Sequence, residues 1–456
     1  MFAPPKAHVW TCAVLAVAAT GAAQTGDESD LDALRRQVDA LGAEVAAQSV
    51  ELERLRSAAN NDSNLAEEEA GETTDDDRSH ALRHLGRFPD DAIVTRGEFS
   101  GSIRIPDTEV SVRLGGLVLV EASLDIDSLG FAETLSPRTI PLDGTPDDGE
   151  RQLGINARNS RINFDIRRDT ALGPFRVFIE ADFFGNGNEL LSNFQFRLRH
   201  ATAQLGNFYI GQWWSGFADV SALPETSNLG GPIAAPVARQ ASVRWGQNVG
   251  RHWRLVFSVE NPEGDLTGPD DTLTADAFPD LTTYVQLDYS WLRFRIAGLL
   301  RRLETRTDDL FAGGFNATGR LPLPILGHDS NLTFQLQYGV GFARYYGGFA
   351  GAGLDGIVDA NGAIEGIGVL GGYVAYQQWW SERWRSTVAV SVLNFDLPAI
   401  ADDSIFSRGT YYAANVFWTP VDGVTVGVEL IYATQKTQGG DEGSGFRAHA
   451  SARFDF

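Results

Sequence analysis

The feature that most constrains this chain is a two-residue alternation of apolar and polar side chains, which recurs from about residue 110 to the C-terminus. In its first segment Leu114 and Val118 share one parity, and Arg113 takes the other. Successive side chains of a β-strand point to opposite faces, so the alternation predicts an all-β chain whose strands have one apolar and one polar face. No apolar run in this region reaches the ~20 residues that a membrane helix needs.

The connections between the predicted strands alternate in length. Seven short turns and eight mostly longer polar loops connect sixteen strands (seven plus eight plus one). Short turns at one rim and long loops at the other are typical of a membrane β-barrel. The sequence therefore predicts a 16-stranded antiparallel transmembrane β-barrel over residues 96–456. The turns lie at 169–174, 206–207, 249–251, 291–292, 322–330, 381–384 and 419–423, and the loops at 127–152, 185–192, 218–239, 261–281, 304–309, 345–364, 395–406 and 435–445.

A soluble β-sandwich is the alternative fold for such a pattern. It buries its apolar faces between two sheets, and its loops need not alternate in length. Pairs of aromatic residues at strand ends favour the barrel, because rings of this kind form girdles at the two membrane interfaces. These pairs are Trp213-Trp214, Tyr345-Tyr346, Trp379-Trp380 and Tyr411-Tyr412.

The last predicted strand alternates from Phe446 to the terminal Phe456. A soluble chain rarely stops on an aromatic residue, since its termini tend to be exposed and loose. The ending resembles that of bacterial outer-membrane barrels. By that resemblance we expect Phe454 and Phe456 to be the signal read by the barrel-assembly machinery.

The first 23 residues read as a secretory signal peptide. Lys6 and His8 precede an apolar run over 9–19, and small residues before Gln24 offer a cleavage site. A membrane anchor is the alternative, although the run is short for a bilayer. Cys12 is the only cysteine and lies within this segment, so the mature chain would have no disulfide and no cysteine-based metal site. We expect no metal and no cofactor.

Two further segments precede the barrel. Residues 24–58 carry apolar residues at spacings of three and four, which predicts a coiled-coil helix or, alternatively, a lone amphipathic helix. Residues 59–95 are acidic and poor in apolar residues, which predicts a disordered linker. The seam of the predicted coil consists of Leu31, Leu34, Val38, Leu41, Val45, Gln48, Leu52 and Leu55.

The polar faces of the strands carry fifteen arginines against nine acidic residues, a surplus of six positive charges in a chain whose net charge is -23. A narrow aqueous pore focuses the field of its lining charges, and arginine rings suit anion pores. The alternative is that these arginines form structural ladders with their acidic neighbours. The predicted pore-lining and anion-binding residues are Arg113, Arg161, Arg167, Arg176, Arg197, Arg199, Arg244, Arg254, Arg293, Arg295, Arg301 and Arg385.

The segment 219–239 is long, rich in Pro, Gly and Ala, and less polar than the other loops. We expect it to fold inward and to narrow the lumen, with Asp219, Glu225 and Arg239 as its charged residues; an ordinary exposed loop is the alternative. The acidic chain disfavours nucleic-acid binding, because phosphates would be repelled.

Two other functions compete with a pore. A barrel hydrolase would need a nucleophile beside a base, and the few histidines, such as His200, His252, His328 and His449, lie in no nucleophile motif. An envelope tether would use the coil as its working part. No GxxxxGK[ST] loop is present to couple nucleotide energy to transport.

A set of ordered motifs over roughly residues 28–456 resembles the DcaP-like porin family. The resemblance implies a homotrimer of sixteen-stranded barrels in the outer membrane of a Gram-negative bacterium, with a periplasmic coiled coil. It also implies passage of small anionic solutes such as dicarboxylates, and contacts with outer-membrane lipid and lipopolysaccharide. Arg161, Arg197 and Arg199 fall in matching motifs. The motifs include Ser160-Arg161-Ile162-Asn163-Phe164-Asp165, Phe196-Arg197-Leu198-Arg199-His200-Ala201, Gly211-Gln212-Trp213-Trp214 and Leu223-Pro224-Glu225-Thr226.

Overall fold

The computed structural model describes residues 95–131, 135–188, 193–269, 273–325 and 329–456. The predicted signal peptide, the coiled coil and nearly all of the linker lie outside the described residues. Within those residues, no helix is long and apolar enough to cross a bilayer.

Sixteen long strands form one closed antiparallel sheet in this part of the chain, which confirms the predicted fold class and strand number. Each strand pairs with the next along the chain, and the last pairs with the first. The strands are Ser111–Asp127 (β1), Gln152–Asn156 with Arg161–Thr170 (β2), Gly173–Asp182 (β3), Arg197–Leu205 (β4), Phe208–Trp214 (β5), Arg239–Val249 (β6), Trp253–Glu260 (β7), Asp280–Tyr289 (β8), Leu292–Glu304 (β9), Asp309–Pro322 (β10), Asn331–Val340 (β11), Gly368–Trp379 (β12), Trp384–Asp396 (β13), Phe406–Val421 (β14), Val424–Thr437 (β15) and Glu442–Asp455 (β16).

Smaller elements decorate the connections. A short hairpin, Thr95–Arg96 with Ile103–Arg104, pairs with the start of β1 and covers the edge that β16 leaves open. Leu266–Thr267, Gly356–Val358 and Ile364–Gly366 form a three-stranded sheet between two loops. Gly187–Asn188 pairs with Asn193–Phe194. Single turns of 3₁₀-helix occur at Pro137–Thr139, Val220–Ala222 and Ala343–Tyr345.

The apolar side chains of the alternating strands face outward. On β1, Leu114 and Val120 are exposed, whereas Glu121 and Asp125 of the opposite parity are buried. A soluble sandwich would show the reverse, so this burial pattern excludes it. In a membrane barrel the exposed apolar residues face lipid and the charged residues face the interior.

Phe454 and Phe456 lie exposed at the end of the last strand. The backbone N–H of Phe456 donates to the carbonyl of Gly116, and the Gly116 N–H donates in return, both at 3.1 Å. The C-terminus is therefore fastened to the first strand. The role of the two rings in assembly stays a prediction.

A buried ion pair links the last and first strands, beside their backbone hydrogen bonds. The Arg447 guanidinium donates to both carboxylate oxygens of Asp125, at 2.5 and 2.9 Å, and neither side chain is more than 1% exposed. Removal of one partner from such a pair leaves the other charge buried and uncompensated.

We predict that Arg447→Gln lowers the free energy of unfolding by about 3–5 kcal/mol. Urea unfolding of the protein folded in lipid vesicles measures this change. Arg453→Gln on the same strand is the matched control, because Arg453 and Asp455 form an exposed pair that contributes about 0–1 kcal/mol. Equal losses in the two variants would contradict this account of closure.

Candidate functional site

The predicted arginines divide into two groups by exposure. The side chains of Arg113, Arg167, Arg176 and Arg197, all on β1–β4, are between 35% and 42% exposed. Those on later strands are mostly covered by loops and held in ion pairs. The covered group includes Arg295, Arg301 and Arg385, each 9% exposed or less. The wall of β1–β4 therefore offers its positive charges to the lumen.

A first charged cluster lies at the turn-side ends of β1–β3. Asp165 accepts hydrogen bonds from Arg167 and Arg176, with closest distances of 2.6 and 2.9 Å, and Arg113 lies 3.9 Å away. The single buried carboxylate therefore serves three guanidinium groups. The ring of Phe99, from the loop before β1, lies 4.2 Å from the Arg167 guanidinium.

A second set of arginines lies nearer the loop ends of β2–β6, and we call Arg161, Arg197, Arg199 and Arg239 the arginine cluster. Asp182 accepts hydrogen bonds from Arg197 at 2.7 Å and Arg199 at 2.9 Å, and Glu180 accepts one from Arg199 at 2.7 Å.

Arg161 and Arg239 have no carboxylate within 4 Å among the described residues. Each also has one buried guanidinium nitrogen without a hydrogen-bond partner there. Four cations and two carboxylates leave a surplus of two positive charges (four minus two).

A β-bulge shapes this cluster. Between Glu180 and Ala181 the register of β3 and β4 shifts by one residue, so that Arg199 has no partner directly opposite. Gln212 on β5 donates its side-chain amide to the carbonyls of Leu198 and Arg199, which stabilises the irregular backbone. The bulge thereby interrupts the alternation, and the side chains of two consecutive residues, Arg199 and His200, are both buried.

The loop 215–238, which we call L3, folds against the inner face of the opposite wall. Glu225 forms a two-pronged ion pair with Arg385 on β13, with both contacts at 2.6 Å. The carboxylate of Glu429 on β15 accepts the backbone N–H groups of Ser227 and Asn228. Tyr373 on β12 donates to the carbonyl of Ala222 at 3.0 Å. L3 is therefore fastened along β12–β15.

The three residues predicted for a constriction lie in different surroundings. Asp219 accepts a hydrogen bond from Thr318 at 2.6 Å and lies 3.7 Å from Arg295. Glu225 pairs with Arg385, not with Arg239. Arg239 begins β6 and contacts the ring of Trp214. The acidic residues of L3 are thus neutralised by the wall behind them.

Part of the barrel interior is apolar. Loops bring Leu129, Ile140, Phe217 and Phe349 into one buried cluster with inward residues of β12–β15, such as Leu393. Tyr345, Tyr346 and Tyr411 belong to this cluster, so the prediction that these residues form interfacial girdles was wrong. Two other members of the predicted aromatic pairs, Tyr412 and Trp380, are exposed. The alternation of apolar and polar residues does not reveal which lumen-facing residues are covered by loops that fold into the barrel.

A buried ion-pair network holds the loop 341–367 to the wall. Arg301 lies between Asp280, at 3.2 Å, and Asp355, at 2.6 Å. Arg344 and the hydroxyl of Tyr345 donate to the other oxygen of Asp280. Because each charge has a partner, Arg301 is a structural residue here and does not line open lumen.

The predicted residues Arg244, Arg254, Arg293 and Arg295 surround a pocket of about 270 Å³ beside L3. Arg254 donates to the Tyr209 hydroxyl at 3.2 Å, and the Arg295 guanidinium lies 3.5 Å from the Tyr284 ring centroid. The pocket also contains Trp214, which the sequence pattern had assigned to a membrane girdle. L3 begins directly after Trp214, and this position beside the loop is the sequence signal that would have placed Trp214 in the interior.

One contact bears on hydrolysis. The Ser227 hydroxyl lies 2.9 Å from Nδ1 of His449, and Nε2 of that histidine lies 3.7 Å from Glu121. All three side chains are buried, and Ser227 also contacts the Ser451 hydroxyl. This geometry fastens L3 to β16. Among the described residues no cluster of potential ligands could hold a metal ion.

Comparisons with known proteins identify relatives of this barrel. Residues 102–309 match the sequence model of the DcaP outer membrane protein family, and no curated protein matches the chain. The outer membrane channel DcaP of Acinetobacter baumannii is similar at 22% identity and a TM-score of 0.68, over 76% of this chain and 97% of that one. An anion-selective porin from Comamonas acidovorans is similar at 13% identity and 0.53, over 76% and 100%. OmpT of Vibrio cholerae is similar at 13% identity and 0.50, over 77% and 99%.

The family match covers strands β1–β9, and the solved DcaP channel shares the barrel fold. The protein is accordingly an outer-membrane channel of the porin type. The resemblance to the DcaP outer membrane protein family seen in the sequence motifs is thus confirmed by the match over residues 102–309.

Proposed function

We propose that the protein is a diffusion channel for small hydrophilic solutes that prefers anions, dicarboxylates among them. The observation that carries this proposal is the arginine cluster, in which Arg161 and Arg239 have no carboxylate partner among the described residues. An uncompensated guanidinium beside water attracts an anion, and low-dielectric pore walls concentrate its field. Two such charges suit a solute with two carboxylates.

The ion pairs elsewhere support a division of roles. Arg301, Arg385 and Arg447 are each held by carboxylates and covered, so their charges contribute little field to the lumen. The alternative that the arginines are structural therefore applies to these residues. We propose that Arg113, Arg161, Arg167, Arg176, Arg197, Arg199 and Arg239 carry the preference for anions.

We propose that L3 is the constriction. Its hydrogen bonds to β12–β15 keep it inside the barrel, and its Glu225 is neutralised by Arg385. A neutralised loop facing an arginine-rich wall would leave the narrowest part of the pore with a net positive field. Arg239, at the end of L3, would supply part of that field.

We propose that the protein assembles as a homotrimer in contact with lipid and lipopolysaccharide, as the family resemblance implies, and that it enters the membrane through the barrel-assembly machinery. We infer that it is not a hydrolase. The buried surroundings of Ser227 support this inference, since a substrate could not reach that hydroxyl.

We predict that the double variant Arg161→Gln/Arg239→Gln lowers the chloride-to-potassium permeability ratio by at least about two-fold, because it removes the two unpaired charges of the wall. Reversal potentials in planar bilayers across a KCl gradient measure the ratio. Arg168→Gln is the matched control, because Arg168 lies on the same strand with the opposite parity and is exposed. A ratio equal to that of the native protein would contradict the proposal.

We predict that Glu429→Gln makes the channel current noisier and gives it brief states of larger conductance. A glutamine amide cannot accept from both Ser227 and Asn228 as the carboxylate does, and an unmade buried hydrogen bond costs about 1–3 kcal/mol. Single-channel recording at fixed voltage detects the mobile loop. Glu442→Gln, in an exposed pair with Lys436, should record like the native protein. A steady, native-like current from the Glu429 variant would show that L3 does not depend on this anchor.

A further inference from the structure

We propose that Trp214 is a specificity-determining residue, which holds Arg239 in the pore through its indole ring and leaves the charge of Arg239 uncancelled. The proposal rests on the proposed anion preference and explains how this unpaired arginine is kept in position beside Arg199, which two carboxylates hold. The Arg239 guanidinium carbon lies 5.2 Å from the Trp214 ring centroid, and that of Arg199 lies 5.9 Å away.

A tryptophan contact differs from a carboxylate contact in its effect on charge. Both stabilise a guanidinium, the first through the negative face of the ring and the second through an ion pair. A carboxylate also cancels the positive field, as Asp125 does for Arg447. The indole is neutral, so it orients the cation and leaves its full charge available to a passing solute.

Arg239 shows the distinction most clearly. Its side chain has no hydrogen bond or ion pair with any described residue, and one of its nitrogens is buried without a partner. Its charge interacts with those of Arg161, Arg197 and Arg199, which repel it, and with Asp182, which two other arginines already occupy. Among the described residues, the ring of Trp214 is thus the one cation–π, hydrogen-bond or ion-pair partner of this guanidinium.

The backbone fixes the ring in place. Trp214 is the last residue of β5 and pairs directly with Arg239, the first residue of β6. Its carbonyl accepts a hydrogen bond from Arg244 at 2.8 Å. The buried His200 lies against the same ring edge-on, with centroids 5.3 Å apart. The ring therefore has little freedom to leave the two guanidinium groups.

Three substitutions separate this role from simple packing. Trp214→Phe keeps an aromatic face and should keep the native chloride-to-potassium permeability ratio to within about 1.5-fold. Trp214→Leu keeps apolar bulk without that face, and the ratio should fall about two-fold or more. Trp214→Glu should lower the ratio further, because an added carboxylate reduces the local surplus from two charges to one (two minus one).

The lipid face provides the control. Trp418 stacks on Trp384 with centroids 5.7 Å apart, and Trp418 is exposed outside the barrel. Trp418→Leu should leave the ratio unchanged. Retained heat-modifiable migration on electrophoresis identifies the variants that fold. The pair Trp214→Leu and Arg239→Gln also forms a double-mutant cycle, in which the first substitution should have a smaller effect once Arg239 is neutral.

The outcomes distinguish the inference from the function on which it rests. If the native channel is anion-selective and Trp214→Leu matches it, the inference is overturned and the proposed function stands. Equal losses in the Phe and Leu variants would also overturn it, because they would indicate shape rather than an aromatic face. If Trp214→Leu does not fold, the Phe and Glu variants decide. If the native channel shows no preference for anions, the proposed function is contradicted, and so is the inference that rests on it.

Discussion

The structure depends on one constraint, which is that charged side chains and unpaired backbone groups are not tolerated against lipid. A sheet closed on itself satisfies the backbone, and the first and last strands complete it. The same constraint sends every second side chain of a strand inward. Glu121 and Asp125 on β1 are therefore buried, while Leu114 and Val120 on the same strand are exposed.

Charges that are sent inward meet two different environments. Where loops fold against the wall, as over β9 and β12–β15, water is largely excluded and each guanidinium needs a carboxylate. Arg385 with Glu225 and Arg301 with Asp355 meet that need. Where the wall is more open, on β1–β4, four arginines are partly exposed, namely Arg113, Arg167, Arg176 and Arg197. In the arginine cluster, four guanidinium groups outnumber their two carboxylate partners. A division of this kind lets one barrel combine a rigid, packed half with a positively charged half.

Much of this fold could be predicted from the sequence because the signal is periodic and repeated. The strand number followed from counting turns and loops, and the outward parity of β1 followed from the alternation at Leu114 and Val118. The interior was harder to predict. Tyr345 and Tyr411 were assigned to the membrane interface, yet loops that fold inward bury both residues. Contacts between a loop and a distant strand, such as Ser227 with Glu429, depend on tertiary packing that no local pattern encodes.

The same limit applies to the candidate site. The sequence identified arginines of the inward parity, but it could not separate Arg301, which two carboxylates enclose, from Arg161, which has no carboxylate within 4 Å among the described residues. The reversal potential of the native protein in a planar bilayer across a KCl gradient tests the central claim most directly. We predict a reversal potential whose sign shows that chloride is more permeant than potassium. A potential of the opposite sign, from a cation-selective channel, would contradict it.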